Sequence, residues 1–215
     1  MNPALRETFS TSATLLVFSV ICASLLAGAY LVTRPTIEHS EQVEKMRLVA
    51  QALPPGSFDN DPVRDARPLA PDPLLGLKRP GLAYLASQGG TPVAVVLEAA
   101  APDGYAGEIR LLVGIRADGR IAGVRVTAHK ETPGLGDYID VARSPWIHQF
   151  EGKSLEAPPA AEWKVRKDGG RFDYLAGATI TPRAVVKAVH KALRYFAQHK
   201  DELLRLPPPA PGGKP

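Results

Sequence analysis

The stretch GEIRLLVGIRADGRIAGVRV, residues 107–126, decides the fold. Apolar residues alternate along 108–116, Asp118-Gly119 supplies a tight turn, and a second apolar run returns over 121–128. This pattern predicts an antiparallel β-hairpin. The valine-rich segment 92–99 predicts a further strand beside it. We therefore expect an α+β fold whose sheet is mainly antiparallel and is flanked by helices.

The C-terminal part predicts a single long helix. Thr181 is suited to the N-cap position and Pro182 to the first helical position, and apolar residues recur at helical spacing to about His199. The segment between hairpin and helix is less regular. It predicts a Gly/Pro loop over 129–139, a helix from about 136 to 143, irregular chain over 144–159, a short strand over 162–166 and a turn at 168–170.

The N-terminal part predicts a transmembrane helix. Residues 8–33 carry no charge and 13–32 are nearly all apolar, a length that spans ~30 Å as a helix. A cleaved signal peptide is the alternative, because Ala27-Gly28-Ala29 resembles a cleavage site. The apolar stretch continues past that site, which favours an anchor. The flanking charges lean toward a cytoplasmic N-terminus, with the rest of the chain outside the cytoplasm.

Four regions are expected along the chain. Residues 1–34 form the tail and transmembrane helix, and residues 35–80 form a juxtamembrane helix and an extended, proline-rich connection. The helical part of 35–80 either packs on the folded domain or is a solvated stalk. Residues 81–200 form the main domain, and residues 201–215 have the composition of a disordered tail.

Composition argues against several classes of function. The 26 basic and 22 acidic residues give a net charge of +4 without any basic run, so a nucleic-acid surface is not expected. The single cysteine, Cys22, lies in the apolar stretch and supports neither a disulfide framework nor a CxxC pair. The five histidines show no metal-ligand spacing, so no metal site is expected.

Two glycine-containing loops carry the polar candidates, at 131–136 and at 173–181. Glycine lets backbone N–H groups approach a ligand closely, and a helix start favours an anion. Two such loops at one place would make a site for a phosphate and a ring, although the spacing is not that of a P-loop. The simpler interpretation is that each loop is only a tight turn. Thr179 has no base in an obvious triad, so a nucleophilic role would need an external activator.

The two loops together resemble a known family. DYLAGAT (173–179) matches, except at position 176, the pattern D-x-x-(S/T)-G-A-T at which a flavin transferase attaches FMN to threonine. HKETPGLG (129–136) is similar to the second signature of these FMN-binding domains. With the membrane helix and the hairpin, residues 8–200 resemble the G subunits of the Rnf electron-transport complex, called Rsx in some bacteria. The similarity to the C subunits of the sodium-translocating NADH:quinone oxidoreductase is more distant.

The resemblance implies a set of site residues. Thr179 would carry FMN through a phosphodiester, and Thr181 is the other hydroxyl within reach. Ala176 departs from the pattern, which has Ser or Thr there, so flavin attachment is expected to be less efficient. The implied cofactor-binding residues, of which those in the first loop lie near the flavin ring, are Thr179, Glu131, Thr132, Gly134, Leu135, Lys167, Asp173, Gly177, Ala178 and Thr181.

The resemblance also implies a function. The chain would be an anchored subunit of the bacterial inner membrane that relays electrons through FMN outside the cytoplasm, among iron–sulfur, flavin and membrane subunits. The complex couples electron flow between ferredoxin and NAD to Na⁺ or H⁺ movement, and a separate flavin transferase using FAD and Mg²⁺ would mature this subunit. No residue is expected to be catalytic. The alternatives are a membrane-anchored flavin-binding redox sensor or accessory protein, and a scaffold that lacks FMN, which Ala176 alone supports.

Overall fold

A computed structural model describes residues 3–206; within the first helix, side chains are described at residue 12, at 15–34 and from 43 onward. The chain divides into two compact units, Met1–Glu44 and Lys45–Pro215. Most of the predicted C-terminal tail, 207–215, lies outside the described residues.

The first helix, α1, runs from Pro3 to Gln51. Within it, the segment Leu15–Arg34 contains an 18-residue window with a mean hydropathy of 2.4, and no residue of that window is buried. By length and composition this segment can cross a membrane, as the sequence predicts. The predicted juxtamembrane helix is not a separate element, because α1 continues without a break through Pro35.

The sheet has five strands in the order β1-β2-β3-β4-β5, and every neighbouring pair is antiparallel. The predicted hairpin is confirmed, with Val113 opposite Val124. The predicted third strand is longer than 92–99. The strands are β1 Arg67–Leu69, β2 Gly81–Gln88, β3 Thr91–Gly104, β4 Gly107–Arg116 and β5 Ile121–Ala128.

Strand β2 has no counterpart in the sequence prediction, because both of its faces are buried and its residues show no apolar–polar alternation. Ala83 belongs to the larger core, which lies between the sheet and the C-terminal helix. Tyr84 and Ala86 belong to a smaller core that also contains Val49 and Leu53 from the end of α1 and the segment after it. The sheet is therefore the middle layer of an α+β domain, as the sequence predicts.

Two glycines that pair across β4 and β5 admit the backbone just after α1. A Cβ at Gly114 would overlap the carbonyl oxygen of Ala52, and a Cβ at Gly123 would lie 3.0 Å from the same atom. A side chain at either position would push the α1 end away from the sheet. These glycines are a packing requirement of the smaller core.

The segment between the sheet and the last helix differs from the prediction. The strand expected over 162–166 is wrong, since its only ladder contact is an isolated bridge between Val165 and Phe172. Trp163 and Val165 alternate with more exposed neighbours, as in a strand, but Trp163 packs in an aromatic cluster with Phe150 and Phe172. The helix expected over 136–143 is a single 3₁₀ turn, Asp137–Ile139; further 3₁₀ helices are Pro145–Phe150, Ala160–Glu162 and Arg166–Asp168.

The last helix, α2, runs from Ile180 to Leu203. It is longer at both ends than predicted, and the expected tail from residue 201 begins with helix whose Leu203 is buried. The residue that precedes the helix is Thr179, so the prediction of Thr181 as the N-cap is wrong. Thr181 is the second helical residue and Pro182 the third, a position in the first turn that proline tolerates.

Candidate functional site

A buried carboxylate brings the two predicted loops together. Glu131 is 4% exposed, and its Oε1 accepts a hydrogen bond from the backbone N–H of Ala106 at 3.0 Å. Its Oε2 accepts one from the Thr181 hydroxyl at 2.5 Å, and Thr181 is 1% exposed. The Thr181 hydroxyl, which lies within the first turn of α2, is thus committed to Glu131. Glu131 joins the β3–β4 turn, the first loop and the start of α2.

The first loop is a compact turn. The N–H groups of Leu135 and Gly136 both donate to the carbonyl of Thr132, and the N–H of Gly134 donates to Asp137 Oδ1 at 2.8 Å. Gly134 has φ +76°, which favours glycine. A Cβ at Gly136 would lie 2.8 Å from Glu131 Oε2, so only glycine lets the loop lie over the carboxylate. Thr132, Gly134 and Leu135 remain exposed.

Tyr138, which follows the first loop, holds the second. Its hydroxyl accepts a hydrogen bond from the N–H of Leu175 at 3.2 Å and donates one to the carbonyl of Ala178 at 3.3 Å. Burial raises the pKa of Tyr138, so its hydroxyl keeps its proton and can donate. One side chain therefore fixes both ends of the turn that contains Gly177.

The beginning of the second loop is held through the backbone of Asp173. Its carbonyl accepts from Trp146 Nε1 at 2.8 Å, and its N–H donates to Gln149 Oε1 at 2.8 Å. The Asp173 carboxylate points outward to Arg166 Nε at 2.9 Å. Trp146 packs edge-on against Tyr138 at 5.4 Å between ring centroids, so the supports of the loop also support each other.

Thr179 lies at the end of this turn, directly before α2. Gly177 has φ +95°, and the N–H of Ala178 donates to the carbonyl of Leu175 at 3.1 Å. Thr179 is half-buried, and its side chain caps no helical N–H. Among the residues whose side chains are described, no group hydrogen-bonds the Thr179 hydroxyl, so no described base is positioned to take its proton. The hydroxyl is not one of the buried polar atoms without a partner, so it is accessible.

The charges beside the helix start come from the 3₁₀ turn Arg166–Asp168. Asp168 forms a bidentate ion pair with Arg183 in the first turns of α2. Arg183 Nε lies 2.6 Å from Oδ2 and Nη2 lies 2.5 Å from Oδ1. Arg183 lowers the pKa of Asp168, and Asp168 raises the pKa of Arg183. Lys167, which directly precedes Asp168, is exposed and adds a positive charge to this turn.

Apolar side chains are exposed around the two loops. Leu135 is 48% exposed on the first loop, Leu175 is 45% exposed on the second, and Ile180 is 46% exposed at the helix start. Tyr105, beside the Ala106 N–H that binds Glu131, is the most exposed of this group. A flat apolar ring can pack on such side chains, while a phosphate suits the N–H groups that begin α2. The residues present therefore fit FMN.

The structure brings together most, though not all, of the predicted site residues. Glu131 and Thr181 are in direct contact, and Gly134, Leu135, Gly177, Ala178 and Thr179 lie in the two loops that they join. Asp173 is directed toward Arg166, and no contact ties Lys167 to Thr179 among the described residues. Sequence reasoning missed Tyr138, Trp146 and Ala106, whose partners are 25 to 40 residues away and leave no local pattern.

Comparison with known proteins identifies the domain that contains these loops. Residues 104–194, which contain both loops and all these supports, match the family model described as FMN-binding domain. The class of the protein is therefore that of proteins with an FMN-binding domain. Residues 1–52 match a second model, described as RnfG N-terminal region.

Relatives match over nearly the whole chain. The G subunit of the ion-translocating oxidoreductase complex of Pseudomonas aeruginosa is 51% identical over 95% of this chain and 96% of its own. The G subunits from Vibrio cholerae and Shewanella baltica are 47% and 44% identical, over 92% and 96% of this chain and 94% and 95% of theirs. The chain belongs to the family of the G subunits of ion-translocating oxidoreductase complexes, which confirms the resemblance drawn from its motifs.

Proposed function

We propose that this chain carries FMN through a phosphodiester to Thr179 and relays electrons within an ion-translocating oxidoreductase complex. The observation that carries the proposal is the placement of Thr179. Its hydroxyl is accessible, unbonded among the described residues, and held at a helix start by a turn in the pattern that flavin transferases modify.

The chain's residues suit an acceptor and not a catalyst. Thr179 has no neighbouring base, so a separate transferase must supply the activation. In that reaction the Thr179 oxygen forms a bond to the FMN phosphorus of FAD, the pyrophosphate bond breaks, AMP leaves, and the hydroxyl proton passes to the transferase. Tyr138 and Gly177 keep the turn in one shape, so that the hydroxyl is presented at the surface.

The start of α2 favours the phosphodiester electrostatically. The group keeps one negative charge, and Thr179 directly precedes the first helical residue. An anion at this end of a helix gains about 0.3–1 kcal/mol. Lys167, exposed on the neighbouring 3₁₀ turn, adds to this attraction, whereas Arg183 is already paired with Asp168.

The first loop would hold the ring. Leu135, Leu175 and Ile180 offer exposed apolar surface, and Thr132 and Gly134 offer polar groups at the same edge. When bound, FMN supplies one- and two-electron redox chemistry. Because these side chains are on the surface, the site remains open to another redox subunit on one side.

Family membership and the apolar segment of α1 support a location in the membrane. Leu15–Arg34 would anchor the chain in the bacterial inner membrane, with the FMN-binding domain on the periplasmic side. A covalent cofactor suits that side, since no FMN pool outside the cytoplasm would replace a lost one. The partners would be the iron–sulfur, flavin and membrane subunits of the complex, and this subunit would not turn over substrate alone.

Two alternatives remain distinguishable. An anchored flavin-binding sensor would also need the exposed ring surface, but it would purify with a signalling partner instead of redox subunits. A scaffold without FMN would be consistent with Ala176, which replaces the hydroxyl found in the family's attachment pattern. Co-purification with the other subunits separates relay from sensor, and the flavin content identifies the scaffold.

The test is flavin fluorescence on a denaturing gel after co-expression with a flavin transferase. We expect a fluorescent band for the wild type and for Thr181→Val, and a dark band for Thr179→Val. The two variants remove a hydroxyl from neighbouring threonines by the same change, so each is the control for the other. A dark wild-type band, or fluorescence lost only in Thr181→Val, would overturn the assignment.

A further inference from the structure

A cleft lies on the opposite face of the sheet from α2. It has a volume of about 610 Å³ and is formed beside the last turns of α1, the segment that precedes β2, and the strands beneath them. Tyr84 and Leu112, which face the smaller core, form part of its lining. None of the residues proposed to hold FMN takes part in it, so the cleft is a separate site.

One rim of the cleft carries unpaired positive charge. Lys45, Lys78 and Arg79 line it and are exposed. None of the three forms an ion pair with a carboxylate among the residues whose side chains the structure describes. The fourth cation of the cleft, Arg110, is paired with Glu108 at 3.1 Å. Three clustered cations without an acidic partner are suited to an anionic ligand.

The other carboxylate of the cleft, Glu98, forms no ion pair with this rim among the described side chains. Glu98 accepts a hydrogen bond from the Tyr84 hydroxyl at 2.6 Å through Oε1 and from the backbone N–H of Leu82 at 3.0 Å through Oε2. Both of its oxygens therefore accept hydrogen bonds from the neighbouring strand β2. The carboxylate is fixed in the wall and leaves the basic rim available to a ligand.

The remaining walls are apolar. Leu48 on α1 and Leu77 before β2 are half-buried, and Leu112 forms part of the floor. A phosphate or sulfate ion would contact only the basic rim and would leave these apolar side chains exposed to water. A ligand with a charged head and a hydrocarbon chain uses both parts of the cleft.

The position of the cleft in the chain favours one source for such a ligand. Lys45 follows Arg34, the end of the candidate membrane span, by eleven residues. These residues belong to α1, in which eleven residues rise about 16 Å, so the bilayer is the nearest source of ligand in a membrane-anchored chain. Phospholipid is the anionic amphiphile available there at high local concentration.

We propose that this cleft binds one anionic phospholipid, with its phosphate at Lys45, Lys78 and Arg79 and an acyl chain against Leu48 and Leu77. The lipid would hold the start of the folded domain at the membrane surface. The inference rests on the proposed membrane anchor for its source of lipid. Binding by the isolated full chain can be measured whether or not that anchor is correct.

The experiment is native mass spectrometry of the full-length protein in detergent, titrated with dioctanoyl phosphatidylglycerol. We expect saturable binding of one lipid per chain. Lys78→Glu/Arg79→Glu should weaken it at least about tenfold, since each basic residue near an anionic lipid contributes substantially to binding. Arg116→Glu/Lys164→Glu, which makes the same charge change outside the cleft, should bind as the wild type does.

Three further arms decide the identity of the ligand. Leu77→Gln keeps every charge and should also weaken lipid binding, because it removes an apolar contact for the acyl chain. This variant tests the proposal even if the double charge reversal does not fold. Zwitterionic dioctanoyl phosphatidylcholine should bind more weakly than phosphatidylglycerol. Equal binding by the wild type and both cleft variants, or displacement of the lipid by an equal concentration of inorganic phosphate, would overturn the proposal. Thr179→Val should leave lipid binding unchanged, which separates this result from that of the flavin site.

Discussion

Replacing Thr181 with valine removes the only side-chain donor to the buried Glu131 carboxylate within the described chain. The valine keeps the branched shape but leaves Oε2 of a 4% exposed residue without its 2.5 Å hydrogen bond. A hydrogen bond to a charged group contributes about 1.5–3 kcal/mol, and its loss leaves the oxygen desolvated. At about 2–4 °C per kcal/mol for a protein of this size, the melting temperature should fall by about 3–12 °C.

The assay is thermal unfolding of the full-length protein in detergent, followed by circular dichroism. Thr181→Ser is the matched control, because it keeps the hydroxyl and loses only a methyl group, worth about 0.8 kcal/mol. The double variant with Glu131→Gln should lose less than the sum of the single changes, since the two groups share one bond. A Thr181→Val protein as stable as the wild type, or a Thr181→Ser protein as unstable as Thr181→Val, would refute the reasoning.

The remaining predictions concern packing, pH and the attachment pattern. Gly114→Ala should lower the free energy of unfolding, measured by urea denaturation, by about 1–3 kcal/mol. The loss should exceed that of Gly123→Ala, because the Cβ at position 114 comes closer to the Ala52 oxygen. Equal losses in the two variants would contradict this. Burial and the Arg194 charge lower the pKa of His190 below its usual value. The unfolded chain then binds more protons than the folded protein just below about pH 6.5, so the free energy of unfolding should fall as the pH drops through that window. In urea denaturation, His190→Gln should reduce this fall. An unchanged pH dependence would refute the role of His190. Ala176→Ser restores the hydroxyl of the family pattern and should raise the initial rate of flavin attachment in a timed gel assay, whereas an unchanged rate would show that position 176 does not matter to the transferase.

The strands that the sequence predicts carry a local signal of their own. Charged and apolar residues alternate at the start of β4, the segment in β3 is rich in valine, and the turn between β4 and β5 has its own residue signature. Strand β2 has neither an apolar–polar alternation nor a run of β-branched residues. The reverse error occurs over 162–166, where Trp163 and Val165 are buried alternately against aromatic rings without a neighbouring strand.

The site shows the same division. The glycines and threonines of the two loops form local patterns, so the loops can be found from the sequence. The contact of Glu131 with Thr181 spans 50 residues, and no local rule could show that the Thr181 hydroxyl donates to this carboxylate. Tyr138 was missed for the same reason, since it holds a loop 37 to 40 residues away.

The most direct test of the proposed function is tandem mass spectrometry of the tryptic peptide 172–183 from protein co-expressed with a flavin transferase. This peptide contains both candidate threonines, 179 and 181, and backbone cleavage between them separates the two assignments. We predict a peptide heavier by one FMN less one water, with the added mass on fragments that contain Thr179. An unmodified peptide, or added mass only on fragments that contain Thr181, would contradict the proposed attachment.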